Sequence, residues 1–212
     1  MAPKSINSAE EALQTVKNDG NALKRVPKNL MTEEICLAAV QEFGGFDALK
    51  HVPAKMKTPE LCRAAVEQGH PQQIRHVPEK LQTPELCLIA VKKDGYALDF
   101  VPEKLRTQDI CLAAVQGNGN ALKYVPEAIN NAEICLAAVR MNGEALEYVP
   151  DKLKTSEICL AAVQRGGGAL EFVPETLRTP ELCLTAVKEN SYALEYVPKK
   201  LKTPEILAAA KE

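Results

Sequence analysis

Residues 155–178, TSEICLAAVQRGGGALEFVPETLR, form the unit from which almost the whole chain is copied. Aligning on its cysteine puts Cys36, Cys62, Cys87, Cys111, Cys135, Cys159 and Cys183 in one column, with steps of 26, 25, 24, 24, 24 and 24 residues. Ala12 and Leu207 continue the column at either end, so nine copies fit. Self-similarity at a short fixed period marks a solenoid, in which one unit cannot bury its apolar face alone but a stack of neighbours can. The expected fold is all-α: an α-solenoid of about nine 24-residue repeats, each a long helix, a short helix and a turn, winding as a right-handed superhelix. The chain, 1–212, reads as a single repeat domain, with an N-terminal capping repeat at 8–31, seven internal repeats at 32–202 and a truncated C-terminal cap at 203–212.

The elements follow from the columns. Ser8, Thr32, Thr58, Thr83, Thr107, Asn131, Thr155, Thr179 and Thr203 open the copies, and each can accept an orphan N–H as an N-cap. Pro59, Pro84, Pro180 and Pro204 follow at the first helical position, and an acidic residue comes next, where the helix dipole favours it. The helix is expected to run about eleven or twelve residues. Leu182, Cys183, Leu184, Ala186 and Val187 occupy most of its circumference, which predicts packing on more than one side. Gly20, Gly95, Gly119, Gly143 and Gly167 are expected to close it in the left-handed conformation, with Ser191 the exception. A short helix of the form A-L-x-Y-V then ends at Pro27, Pro53, Pro78, Pro102, Pro126, Pro150, Pro174 or Pro198, because a residue before proline is driven out of the α region. The next residues, such as 102–105, are expected to make one tight turn that drops Leu105 into the core.

Composition bounds the function classes. Aromatic residues are 4% and Trp is absent, so the core is built from Ala, Leu, Val, Ile and Cys. A formal net charge of −2 argues against a general polyanion binder. No apolar run approaches the ~18 residues needed to span a bilayer, and the opening MAPKSINSAEE lacks the apolar stretch of an export signal. A soluble, cytoplasmic protein with no membrane partner is expected. One cysteine per repeat, on helices stacked ~8–10 Å apart, suits neither disulfides nor zinc, and reads as a ladder of buried thiols. His51 and His76 hold equivalent positions one repeat apart, so no metal site is expected from them. No nucleophile, base and acid stand at catalytic spacing. The expectation is no enzyme, no catalytic residue and no cofactor.

A candidate partner-binding stripe remains. One column reads Arg25, His51, His76, Phe100, Tyr124, Tyr148, Phe172 and Tyr196, and the column before it Lys24, Lys50, Arg75, Asp99, Lys123, Glu147, Glu171 and Glu195. Together they run from basic to acidic-aromatic. The expected function is a non-enzymatic scaffold that presents this face to a protein or peptide. The alternative is modular single-stranded nucleic-acid binding, one base stacked per repeat, which the acidic end disfavours. Self-association is left open. The regularity breaks once, where two extra residues give Phe43-Gly44-Gly45-Phe46 and one extra lies within Gly69-His70-Pro71-Gln72, next to Arg63 in a leucine column. Phe43, Phe46 and His70 are candidate loop contacts, with a fold-back that covers a gap between irregular repeats as the competing reading.

The segments LTAVKENSYALEY (184–196), IAVKKDGYALDF (89–100) and CLAAVRMNGEALEY (135–148) resemble a family catalogued only as a domain of unknown function. That family carries tandem LAAVKxNGxALxY-like units in bacterial and protist proteins, and the likeness extends over about residues 8–210. The repeat length is also similar to that of leucine-rich variant repeats. Neither resemblance implies a catalytic residue or a named ligand.

Overall fold

In the computed structural model, which describes residues 6–42 and 44–211, the cap column acts as its chemistry dictates. The side-chain oxygen of each of the nine cap residues accepts the backbone N–H three positions on, from Glu11 above Ser8 to Ile206 above Thr203. Each such bond contributes about 1 kcal/mol of helix stability. The long helices are shorter than expected, with nine residues in Glu33–Gln41, ten in Pro180–Glu189 and six in the last, Pro204–Ala209. No strand occurs among the described residues.

The helix ends correct the expectation of left-handed glycines, since none of the described residues has a positive φ. The helix stops one residue earlier, on Asp94, Asn118, Asn142 or Asn190, at φ between −146° and −155°. Its side-chain oxygen accepts the N–H two positions on, from Tyr96, Asn120, Glu144 and Tyr192 respectively. This turn chemistry of Asp and Asn opens a tighter 3-10 helix of six residues, as in Gly143–Tyr148. The second repeat is the exception, with a four-residue α-helical turn, Ala48–His51.

Glycine is needed at the column for a different reason. A Cβ on Gly20, Gly119, Gly143 or Gly167 would lie 2.3, 2.4, 2.4 or 2.1 Å from the carbonyl oxygen of Ala39, Ala138, Ala162 or Ala186 in the following repeat. The bare Cα lets each 3-10 helix rest on the last turn of the next long helix. Ser191 escapes the constraint because it is exposed and the helix that follows stops at Ala209.

Burial divides the long helix into two faces. Ile158, Cys159, Ala162 and Val163 are buried, as are their counterparts in the other full repeats, because at 100° per residue these four positions share an arc of about 140°. Leu160 and Ala161 point the other way, and Leu160 is 39% exposed. An internal long helix such as Ala132–Met141 packs, as expected, on more than one side, against the long helices before and after it and two short helices, and keeps a half-open leucine on its remaining side. All seven cysteines are buried and free. The turn leucines, Leu105 among them, are half-buried instead of entering the core. Close contacts group the chain into two compact units, one ending at Leu105 and one beginning at Arg106. Within each, successive long helices pack together, and a 3-10 helix followed by a long helix of the same unit lies against that helix and against the long helix of its own repeat.

The irregular repeats are held by a residue that the sequence reading passed over. Gln73 stands in a column otherwise made of Ala22, Ala48, Ala97, Ala121, Ala145, Ala169 and Ala193, and it is fully buried. Its Nε2 donates to the carbonyls of Val40 at 2.8 Å and Ala65 at 3.1 Å, while its Oε1 accepts the Leu49 N–H at 3.0 Å. One side chain thus joins two helix ends and a short helix that the extra residues have pushed off register. The inserted loop is tied down as well: Asn21 donates to the Gly44 carbonyl at 2.9 Å and accepts the Asp47 N–H at 3.0 Å. Phe43 lies outside the described residues. Phe46 is 44% exposed, with its ring centroid 4.2 Å from that of His70. His70 takes the place of the capping Asp or Asn, its Nδ1 accepting the Gln72 N–H at 3.3 Å.

Candidate partner-binding face

The rung column follows directly from the 3-10 helix, whose last residue it is in seven of the eight repeats that carry a rung. His51, His76, Phe100, Tyr124, Tyr148, Phe172 and Tyr196 are all half-buried, Arg25 is exposed, and the whole preceding column, Lys24 to Glu195, is exposed. The valine that follows each rung is buried and fixes the ring's direction.

The rungs are not bare. Arg75 and His76 both turn inward to Asp47, at 2.5 Å from the guanidinium and 2.8 Å from Nε2, so these two candidates serve the irregular repeats. The hydrogen bond from His76, and then that from Arg75, hold the Asp47 carboxyl below its ordinary range against the opposing effect of burial. The Arg75 guanidinium also lies 5.6 Å from the centre of the Phe100 ring, and Lys123 Nζ lies 4.5 Å from that of Tyr124, both at cation–π range. A hydrogen bond to Glu171 raises the Tyr196 phenol above its usual value. Burial, and then Lys50, lower the His51 imidazole, favouring its neutral form. No group of three or more ligating side chains placed to hold a metal ion occurs among the described residues.

A second column, five residues before each cysteine, was not singled out from sequence and shapes this face. Its donors reach the carbonyl of a rung in the following repeat: Lys57 to His76 at 3.0 Å, Arg106 to Tyr124 at 2.8 Å and Arg178 to Tyr196 at 2.6 Å. Arg178 also binds the carbonyls of Val173 and Glu171 in its own repeat, at 2.9 and 3.1 Å. A long basic residue at a fixed place between leucine and cap was the available signal. Two grooves border rungs of this column. Lys154 pairs with Asp151 at 3.0 Å, and a groove of 520 Å³ runs past Phe172, Pro174 and Leu177. Its counterpart in the first unit, 650 Å³ in volume, runs past Met31, His51, Pro53 and Met56.

Within each unit an ion pair links the turns of successive repeats. The residue after the proline in one repeat meets the second residue after the proline in the next, as Glu79 with Lys104 at 2.7 Å and Glu127 with Lys152 at 2.9 Å. Both pairs are largely exposed, so they mark register and add little stability. All seven thiols are buried, and burial raises every one, those of Cys62, Cys87, Cys111 and Cys135 to about 11. No helix among the described residues is long and apolar enough to cross a membrane.

A comparison with curated proteins finds no match. A family profile described as Domain of unknown function (DUF4116) matches residues 58–106, 83–130, 107–154, 131–178 and 155–202. Each window begins at a cap residue and takes in two repeats, so the recurring long helix, 3-10 helix and turn are the family's own unit. From the tandem windows and the helical repeats together, the chain belongs to the family catalogued as Domain of unknown function (DUF4116).

Proposed function

We propose that the chain is a non-enzymatic protein- or peptide-binding scaffold that works through the rung face of its two units. The observation that carries this reading is the recurrence of one geometry: a half-buried rung beside a proline and a turn leucine, bordering equivalent grooves at His51 and at Phe172. A ring held by a buried valine and bared on one side gives contact area at little entropic cost on binding. The exposed column beside the rungs sets orientation by charge, with Lys24 and Lys50 in the first unit and Glu147, Glu171 and Glu195 in the second. A cytoplasmic location fits a ladder of reduced thiols.

The test is an affinity capture from native lysate with the whole chain and with Tyr148→Ala plus Phe172→Ala. Both side chains are half-buried, so helicity by circular dichroism is checked first. Loss of specific partners at unchanged helicity supports the proposal, and retention of every partner refutes it.

A further inference from the structure

We propose that the groove between the turns of repeats 1 and 2 anchors an acidic peptide segment, with a Glu or Asp carboxylate between Lys28 and Lys55 and a neighbouring aliphatic side chain against Met31 and Met56. This rests on the peptide-binding reading above and supplies the partner's chemistry at one of its grooves.

The first argument is register. Lys28 follows Pro27 and Lys55 is second after Pro53, so they hold the two positions that Glu79 and Lys104, or Glu127 and Lys152, occupy as ion pairs elsewhere. Two ammonium groups here share a place that in those repeats holds one of each sign. Neither forms an ion pair among the described residues, nor do the exposed Lys24 and Lys50 nearby in the sequence. A carboxylate between them accepts from both and removes their repulsion.

The second argument is the donor column. Lys57, Arg106 and Arg178 reach across to the carbonyls of the rungs His76, Tyr124 and Tyr196, but the residue at this place in repeat 1 is Met31, whose side chain has no N–H to give the corresponding carbonyl of His51. A peptide N–H lying in the groove can supply that bond. The groove is walled by Met31, Met56 and Pro53, which suit an aliphatic side chain, and its 650 Å³ lies within the range of about 300–1,000 Å³ typical of ligand sites. The equivalent groove in the second unit has Asp151 in the Lys28 position, already paired with Lys154, so it offers no such cationic site.

The experiment uses fluorescence anisotropy of the full chain with a labelled dodecapeptide of Glu and Leu, a matched peptide of Lys and Leu, and competition by single-stranded RNA and by inorganic phosphate. The Glu peptide is expected to bind, more weakly at high salt, and the Lys peptide not to bind. Lys28→Glu restores the pairing seen in other repeats and should weaken binding about tenfold or more, and Lys55→Glu likewise, with circular dichroism unchanged. Equal binding by wild type and both variants, no binding by wild type, or displacement by RNA or phosphate as effective as by unlabelled Glu peptide overturns the proposal. Should Lys28→Glu lose the peptide while Tyr148→Ala with Phe172→Ala keeps every native partner, the rung reading fails and the groove stands. The reverse pattern sinks the groove alone.

Discussion

The three consecutive glycines 166, 167 and 168 give a sharp test of what glycine does at the repeat junction, because replacing each with alanine has a different expected result. A Cβ on Gly167 would sit 2.1 Å from the Ala186 oxygen and 2.9 Å from both N and Cβ of Asn190. A carbon and a carbonyl oxygen need ~3.3 Å, so the 3-10 helix and the next long helix must separate by roughly 1 Å. Such overpacking costs about 1–3 kcal/mol. The Ala186 carbonyl also accepts the Asn190 N–H at 2.9 Å, a bond worth about 1 kcal/mol that the shift strains. The entropy that alanine removes from the unfolded chain returns about 0.4–1 kcal/mol. The net expectation for Gly167→Ala is a loss of about 2–3 kcal/mol. Gly166 has nothing within 4 Å of its notional Cβ and lies at φ −173°, where any residue is at ease. Gly168 has only the far end of Asn190, at 3.9 Å. Gly166→Ala and Gly168→Ala should each be neutral or stabilising by up to about 1 kcal/mol. Urea unfolding followed by circular dichroism and by tyrosine fluorescence, with coincident transitions required, measures all three. A Gly167→Ala midpoint within about 0.5 kcal/mol of wild type, or a Gly166→Ala loss of equal size, refutes the close-approach argument.

Gln73→Ala converts the column to its common residue yet should destabilise by about 3 kcal/mol or more, since it leaves the Val40 and Ala65 carbonyls and the Leu49 N–H without their partner in a buried site. A variant as stable as wild type in urea would show that the junction repacks. The native thiols, raised to about 11 in four of the seven repeats, should react with a disulfide reagent at pH 8 only as fast as the protein opens, so a native rate equal to that in denaturant overturns their assignment as packing groups. Asp47 has a folded pKa below its unfolded value, so its contribution is present above about pH 4 and is lost as pH falls through the folded value. The stability gap between wild type and Asp47→Asn should therefore close on acidification. The carboxylate is 43% exposed, so the gap is small, and one independent of pH argues against the His76 and Arg75 pairing.

The repeat, its caps and its proline stops were legible because each depends on one residue type recurring at one place: an oxygen-bearing cap, a β-directing Val-Pro, a buried Ile-Cys pair. The glycine was visible and its role was not, since a glycine after a helix is compatible with a left-handed turn and with a tight contact, and only the position of the Ala186 carbonyl separates the two. The Asn or Asp before it held the missing signal, being the residue that both ends one helix and starts the next. Gln73 and the Lys57, Arg106, Arg178 column were unread because their partners are backbone carbonyls, which leave no complementary letter in the sequence. Of the candidate face, the half-exposure of the rungs followed from the tolerance of Arg25 in their column. The inward turn of Arg75 and His76 did not, because it depends on Asp47, which the two inserted residues bring into the junction.

The seating of a glycine Cα on an alanine carbonyl bears on how such a chain can change in length over generations. A regular copy carries both halves of the joint, the glycine at its trailing edge and the carbonyl at its leading edge, so a duplicated cassette of 24 residues can be spliced beside another regular copy without inventing a new contact. The junction built on Gln73 lacks that freedom. Its side chain reaches Val40 and Leu49 in repeat 2 as well as Ala65 in its own, so repeats 2 and 3 are matched partners that must be gained or lost together, while regular copies are free to multiply.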